Sequence, residues 1–416
     1  MRLTGSFTPP GDKSISHRLA LMSLVASGDV RLTHMAPGAD VNSSLAAAAG
    51  LGAEVRAEGV DLIVRGAGGR IDEGAAIDCG NSGTTIRLLM GLLAGRVGEY
   101  VLDGDESLRR RPMERVATPL RLMGAEVDCL EGRCPVTVRG GALKGLDYRL
   151  PVASAQLKSA VLLAGLQAQG ATRVIEPRPS RDHTERLISL FGGRIERLDQ
   201  GWRVEPSELT LSGDLRVPGD PSSAAFFLCA AAVIPGSDVT AEGVLLNPTR
   251  IGFLKVLERM GAVVEIEEQS DRPEPWGRVR IRHTGGLTGC RVSGQEIPFL
   301  VDEVPILALT ATQAQGTTIF SEAGELRLKE TDRLSAVAGQ LGRMGARLRI
   351  EGDDLVVEGP SALGAPPELD SFGDHRMAMT LRLAGLLAGA EPRIVDEDCV
   401  RISYPGFAQD LDGLLS

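Results

Sequence analysis

Lysine, serine, histidine and arginine crowd the head of one apolar segment, "DKSISHRLALM" at 12–22. Other apolar segments carry comparable heads: Asn81, Ser82 and Gly83; Ser154, Gln156 and Lys158; Asp302 and Glu303; His375 and Arg376. A second series of polar heads reads "RRRPMER" (109–115), "RDHTER" (181–186), "NPTR" (247–250) and "KETDR" (329–333). The pattern behind each head is helical, so the chemistry sits at helix starts. A helix amino terminus presents free N–H groups and a partial positive charge. Several such starts converging on one cleft make an anion site.

Ser, Asn and Asp at these places are also ordinary caps, each contributing about 1 kcal/mol. Asp220 and Ser222, with no basic residue following, read as capping and hinge residues. Basic residues differ, because they oppose the dipole at a cost of roughly 0.3–1 kcal/mol. Lys13, Arg111, Arg181, Arg250, Arg333 and Arg376 all stand near helix starts. As a set they imply an anionic ligand, since a charge-assisted hydrogen bond contributes roughly 1.5–3 kcal/mol.

"KETDRL" is the sharpest piece. Lys329, Glu330 and Arg333 are expected within one helical turn, where simple ion pairing is worth about 0.2–0.5 kcal/mol. A glutamate flanked by two cations near a phosphate is suited to shuttling a proton. Asp302 opens an apolar helix, either as a dipole partner or as a general base. His17, His34 and His283 read as structural. Nucleophile elbows, zinc-protease helices and phosphate-binding P-loops are not found.

The elements that must position these residues repeat about every 70 residues. Small apolar helices start near Ser14, Ser82, Ser154, Ser222, Asp302 and Asp374, each expected to stop at a glycine. Interleaved amphipathic helices run into small-residue turns and short strands, as in "GLGAEVRA" (50–57), "LMGAEVDC" (122–129) and "RMGARLRI" (343–350). Six strand–helix–strand–helix–strands units divide into two compact threes. The fold class is therefore α/β, with two similar domains. One holds residues 1–12 and 218–416, the other 13–217, and chain crossings near 10–13 and 218–220 suggest a hinge with ligands bound beside it.

Composition agrees. The 416 residues carry a net charge of −10 and are 43% hydrophobic, which argues against a general nucleic-acid or membrane-surface binder. The start "MRLTGSFTPPGD" has no signal-peptide pattern, and the longest uncharged apolar run is too short to span a bilayer. Six scattered cysteines read as free thiols in a cytoplasmic protein, with neither metal site nor disulfide framework.

At this point the motifs "DKSISHR" (12–18), "GNSGTTIR" (80–87), "RRPM" (110–113), "SAQLK" (154–158), "RDHTE" (181–185), "NPTR" (247–250), "KETDRL" (329–334) and "DHRMAM" (374–379) matter as a set. Along essentially its whole length the chain resembles the 5-enolpyruvylshikimate-3-phosphate synthase family, and "SAQLK", "RDHTE" and "NPTR" look like its second class. The resemblance implies an inside-out α/β barrel of two domains with three βαβαββ units each. It implies transfer of the enolpyruvyl group of phosphoenolpyruvate to the 5-hydroxyl of shikimate 3-phosphate, without metal or cofactor. A monomer with no nucleic-acid or membrane partner is expected. Residues 13–217 would form the shikimate 3-phosphate side and the other domain the phosphoenolpyruvate side. Lys13, Ser14, Arg18, Ser154, Ala155, Gln156, Arg181, Asp302 and Lys329 would hold shikimate 3-phosphate. Lys13, Asn81, Gly83, Arg111, Gln156, Arg333 and Arg376 would hold phosphoenolpyruvate. Asp302 would take the hydroxyl proton and Glu330 would handle the C3 proton, with Lys13 assisting.

Three positions distinguish this chain within the resemblance. Ile402, with Arg401 beside it, stands where many relatives have a lysine. Leu88 replaces a proline of the first class, and Gly83 keeps the glycine that leaves room for glyphosate. The related UDP-N-acetylglucosamine enolpyruvyl transferases place a reactive cysteine in the loop that here reads "DESLRRRPME". A noncatalytic phosphometabolite sensor on the same scaffold would not need Asp302 and Glu330 together.

Overall fold

The computed structural model describes residues 2–364 and 366–416. The chain divides into two compact units, Gly11–Val217 and Met1–Pro10 with Pro218–Ser416. Gly11 and Asp12 group with the middle unit.

The middle unit carries α1 (Lys13–Met22), α2 (Ala39–Gly50), α3 (Gly83–Ala94), the single turn α4 (Glu106–Arg109), α5 (Glu114–Met123), α6 (Ala155–Gly165) and α7 (His183–Leu190). Apolar residues surround α1, α3 and α6, and nearly all of their length is buried. α5 buries only its apolar face, whereas α7 buries polar His183, Thr184 and Glu185 along with Leu187 and Ile188. Where α3 crosses α6, a Cβ added at Gly91 would stand 2.2 Å from the Ala160 carbonyl oxygen. Only glycine permits that approach.

Its three sheets follow one plan: a parallel pair leads into an antiparallel hairpin. Ala76–Asp78 runs parallel to Gly98–Asp103, which pairs antiparallel with Arg133–Gly140 and through it with Glu126–Leu130. Asp147–Arg149, Thr172–Ile175, Gly201–Val204 and Ile195–Leu198 repeat that order. In the first sheet the parallel neighbours of Ala26–Thr33 are Leu209–Leu211 and Asp214–Arg216, supplied by the far end of the same unit.

The other unit carries α8 (Pro221–Val233), α9 (Gly252–Arg259), α10 (Val304–Ala311), α11 (Arg333–Arg343), α12 (His375–Leu387) and α13 (Phe407–Leu414). Its amino-terminal strand Thr4–Phe7 lies parallel to Asp238–Leu245. Arg291–Val292, Gly316–Phe320, Asp354–Gly359 and Arg347–Glu351 form the next sheet in that order. The last repeat departs from the plan. Among the described residues it has only Glu368–Asp370 parallel to Arg393–Val395, and α13 takes the place of a hairpin. The core centres on Phe227, stacked on Phe407 and edge-on to Phe7, both at 5.0 Å.

The expected glycine stops are not general. α1 ends at Met22, where the Ser23 hydroxyl donates to the Ala20 carbonyl at 2.5 Å. Gly28 instead lies inside the next strand. α10 likewise ends where the Thr312 hydroxyl donates to the Leu309 carbonyl at 2.6 Å. Hydroxyls satisfy carbonyls that a glycine turn would otherwise serve.

Candidate active site

Caps fix the helix starts. Asp12 accepts from the Ile15 N–H at 2.8 Å and makes Lys13 the first residue of α1, with Ser14 next. Ser82 accepts from the Thr85 N–H at 3.1 Å, so Gly83 begins α3 directly after Asn81 and Ser82. Ser154 does the same for α6, whose first residues are Ala155 and Gln156. Serine and aspartate accept these bonds because the first N–H groups of a helix lack partners within it.

In the middle unit a second arginine organises the predicted set. Arg87, one turn into α3, donates to Gln156 Oε1 at 2.6 Å and to the Pro112 carbonyl at 3.2 Å. Gln156 in turn donates to Thr84 Oγ1 at 3.0 Å. A Cβ at Gly83 would lie 2.8 Å from Arg87 Nη1 and 3.1 Å from Arg111 Nη1, so Gly83, Arg87, Arg111 and Gln156 converge. Arg18 is buried and donates to the Ser14 carbonyl at 2.9 Å, Thr184 Oγ1 at 2.7 Å and Ser159 Oγ at 3.0 Å. Lys13 Nζ sits 3.0 Å from Asp40 Oδ2, on the first turn of α2.

Arg181 lies in the loop before α7, next to Ser180. Lys158 holds that loop from within. It is fully buried, donates to the Ser180 carbonyl at 3.3 Å and pairs with Glu176 at 3.1 Å and Glu185 at 2.8 Å. Burial pushes the Glu185 carboxyl up against the pull of Lys158.

In the other unit Asp302, Glu330, Arg333 and Arg376 come together. The Arg333 side chain is 1% exposed and donates to Asp374 Oδ2 at 2.7 Å, Asp302 Oδ1 at 3.0 Å and Glu330 Oε2 at 2.6 Å. Arg376 Nε stands 3.7 Å from Asp302 Oδ1. Burial opposes the charge on Arg333, but Asp374, Glu330 and Asp302 outweigh it and hold its pKa above the ordinary arginine value. Such a guanidinium is charged at every accessible pH. It fixes two carboxylates that remain partly exposed, Asp302 at 13% and Glu330 at 31%.

Three expectations need correction. Lys329 and Glu330 do not share a helical turn with Arg333. Asp332 caps α11 by accepting from the Ser335 N–H at 3.1 Å, so the helix starts at Arg333 and its two neighbours precede it. Glu330 still reaches Arg333, from outside the helix. Arg250 is buried, donating to Asp220 Oδ1 at 2.9 Å and Ser222 Oγ at 3.1 Å; a carboxylate of its own unit balances its charge. Lys158, grouped with the polar heads, is likewise internal. Arg401 is 78% exposed and lies 3.7 Å from Asp398.

Arg87 and Asp40 are not among the residues expected in the site, and Asp374 is expected only as a helix start. Arg87 had a visible signal, as an arginine inside an all-apolar helix. Asp374 and Asp40 looked like ordinary helix-start acids, and nothing local distinguished them.

Helix starts lined with guanidinium groups, beside two fixed carboxylates, belong to a class of enzymes that bind small, multiply charged acids and move protons on them. The likeness to solved structures narrows the class. An EPSP synthase structure from Acinetobacter baumannii superposes with a TM-score of 0.89 at 37% identity, covering 99% of this chain and 96% of that one. The enolpyruvyl transferase NikO from Streptomyces tendae shares the fold, with a TM-score of 0.80 at 18% identity and 99% and 95% coverage. The family model of EPSP synthase (3-phosphoshikimate 1-carboxyvinyltransferase) matches residues 1–411. Proteins called 3-phosphoshikimate 1-carboxyvinyltransferase from Bacillus licheniformis and Geobacillus thermodenitrificans are each 46% identical, over 99% of this chain and 97% of theirs. The chain belongs to the EPSP synthase family, which transfers the enolpyruvyl group of phosphoenolpyruvate to shikimate 3-phosphate.

Proposed function

We propose that the residues gathered in the two units carry this reaction in the following roles. Lys13, Ser14, Ser154, Ala155, Gln156, Arg181, Asp302 and Lys329 hold shikimate 3-phosphate, and Arg18 both serves that ligand and holds the Ser14 carbonyl. Lys13, Asn81, Gly83, Arg111, Gln156, Arg333 and Arg376 hold phosphoenolpyruvate, with Arg87 keeping Gln156 in place. Two phosphates and two carboxylates repel one another, and preorganised cations and helix dipoles offset that repulsion without rearranging during reaction.

Asp302 accepts the proton of the 5-hydroxyl as its oxygen attacks C2 of phosphoenolpyruvate. Glu330 delivers a proton to C3, assisted by Lys13. The tetrahedral intermediate then loses inorganic phosphate, whose leaving oxygen takes up the proton Asp302 accepted, while Glu330 takes a C3 proton back, restoring the double bond and both carboxyl groups to their starting states. Arg333, donating to both carboxylates at once, is the observation that carries this reading: it sets the two proton-handling groups on one rigid anchor.

A monomer acting in the cytoplasm completes the proposal. Six free cysteines support a reducing compartment, and no helix among the described residues is long and apolar enough to cross a membrane. Glu330→Gln tests the proton roles. Both substrates should bind within about threefold of their normal affinity while turnover falls by a factor on the order of 10²–10⁴. Unchanged turnover removes Glu330 from the mechanism.

A further inference from the structure

Lys13 does not stand alone at the head of α1. Its ammonium lies 3.0 Å from Asp40 Oδ2, and the neutral ring of His17 places Nε2 3.7 Å from the same oxygen. His17 is 1% exposed and Asp40 6%. His17 Nδ1 shares a hydrogen bond with Ser44 Oγ at 2.8 Å, and Ser44 Oγ shares one with Thr85 Oγ1 at 2.7 Å. Thr85 Oγ1 then donates to Ser82 Oγ at 2.7 Å, the cap that begins α3 at Gly83. Buried beyond Lys13, a hydrogen-bonded line from His17 through Ser44 and Thr85 therefore ends at the helix start that is also assigned to phosphoenolpyruvate.

We propose that Asp40 is a positioning residue for Lys13, fixing its ammonium in the place and charge state the reaction uses. This rests on the role given to Lys13 above.

The charges agree. Burial would raise the Asp40 carboxyl, but Lys13 and His17 outweigh burial and hold it well below the usual carboxylate range. Burial also pushes His17 below its ordinary value, against the pull of Asp40 and with the help of Lys13 and Arg18. The neutral ring leaves the negative charge of Asp40 to Lys13. Among the described residues, the charged groups acting on His17 and Asp40 are Lys13, His17 and Arg18 from α1 and Asp40 from α2.

The chain has only five lysines, Lys13, Lys144, Lys158, Lys255 and Lys329, so 13C-methylated lysine signals can be followed individually by NMR through a pH titration. The Lys13 signal is the one missing from Lys13→Arg. In Asp40→Asn, nearly identical in shape, its midpoint should fall by about one pH unit or more, since an opposite charge at this distance favours the charged form. Turnover per KM for phosphoenolpyruvate should fall about tenfold. Asp40→Glu should restore the midpoint and part of the rate. If Asp40→Asn does not fold, Asp40→Ser carries the same expectation. An unshifted Lys13 midpoint in a folded, uncharged variant overturns the proposal, as does an unchanged rate. If Lys13→Arg keeps full turnover, the role of Lys13 has failed instead, whatever the midpoint does.

Discussion

Gly83 shows what one missing methyl group can decide. Having no Cβ, the first residue of α3 lets Arg87 Nη1 and Arg111 Nη1 come close to its backbone. Gly83→Ala places a carbon 2.8 Å from the first and 3.1 Å from the second. Both contacts are with ends of flexible side chains, so the helix survives and the guanidinium groups give way. A displaced cation cannot be replaced by water in a preorganised site. We expect KM for phosphoenolpyruvate to rise several-fold and glyphosate to inhibit at concentrations higher by about tenfold or more. Steady-state kinetics with both ligands checks this; unchanged constants would show that Arg87 and Arg111 do not serve the site together. Arg87 also marks a limit of reading by residue type. A lone cation in an apolar helix is visible in sequence, but its partners Gln156 and Pro112 come from other elements.

At the scale of elements, the helix starts were legible because capping chemistry is local. Ser82, Ser154 and Asp374 stand where their type and the following apolar run place them. The helix stops were less legible, because buried Ser23 and Thr312 serve the last carbonyls through hydroxyls that nothing in the local sequence distinguishes. The start of α11 departs from expectation for a related reason: Asp332 caps the helix three residues beyond Lys329, and only backbone geometry shows where the helical turn begins. Asp374 joins two elements. It caps α12 by accepting from the Arg376 N–H at 2.8 Å and pairs with Arg333 on α11. Asp374→Ala removes a cap and strands a buried guanidinium. Leaving a buried charge short of its partner costs about 3–5 kcal/mol. Thermal or denaturant unfolding should show a loss of that size, while a loss below about 1 kcal/mol, the worth of a cap alone, would mean Asp302 and Glu330 suffice for Arg333.

At the scale of the whole molecule, the repeat carried most of the fold. Six apolar helix heads at near-regular spacing announced the α/β plan, and parallel pair plus hairpin is what the structure shows in five sheets. What spacing could not show is where the plan is bent: the first sheet of the middle unit borrows its parallel neighbours from residues 209–216, and the last repeat ends in α13. Such joins depend on contacts distant in sequence. The basic residues at the helix heads also divide once the structure is seen. Arg250 and Lys158 are buried against carboxylates of their own unit, whereas the Lys13 side chain remains 24% exposed beside Asp40 and Arg376 lies near the partly exposed Asp302. The central claim is that these groups act together on two small phosphorylated acids. Its most direct test is the release of inorganic phosphate by the purified chain given phosphoenolpyruvate and shikimate 3-phosphate, together and singly. Phosphate should appear only with both present, one for each enolpyruvyl group transferred. No release from the pair, or equal release from phosphoenolpyruvate alone, would contradict it.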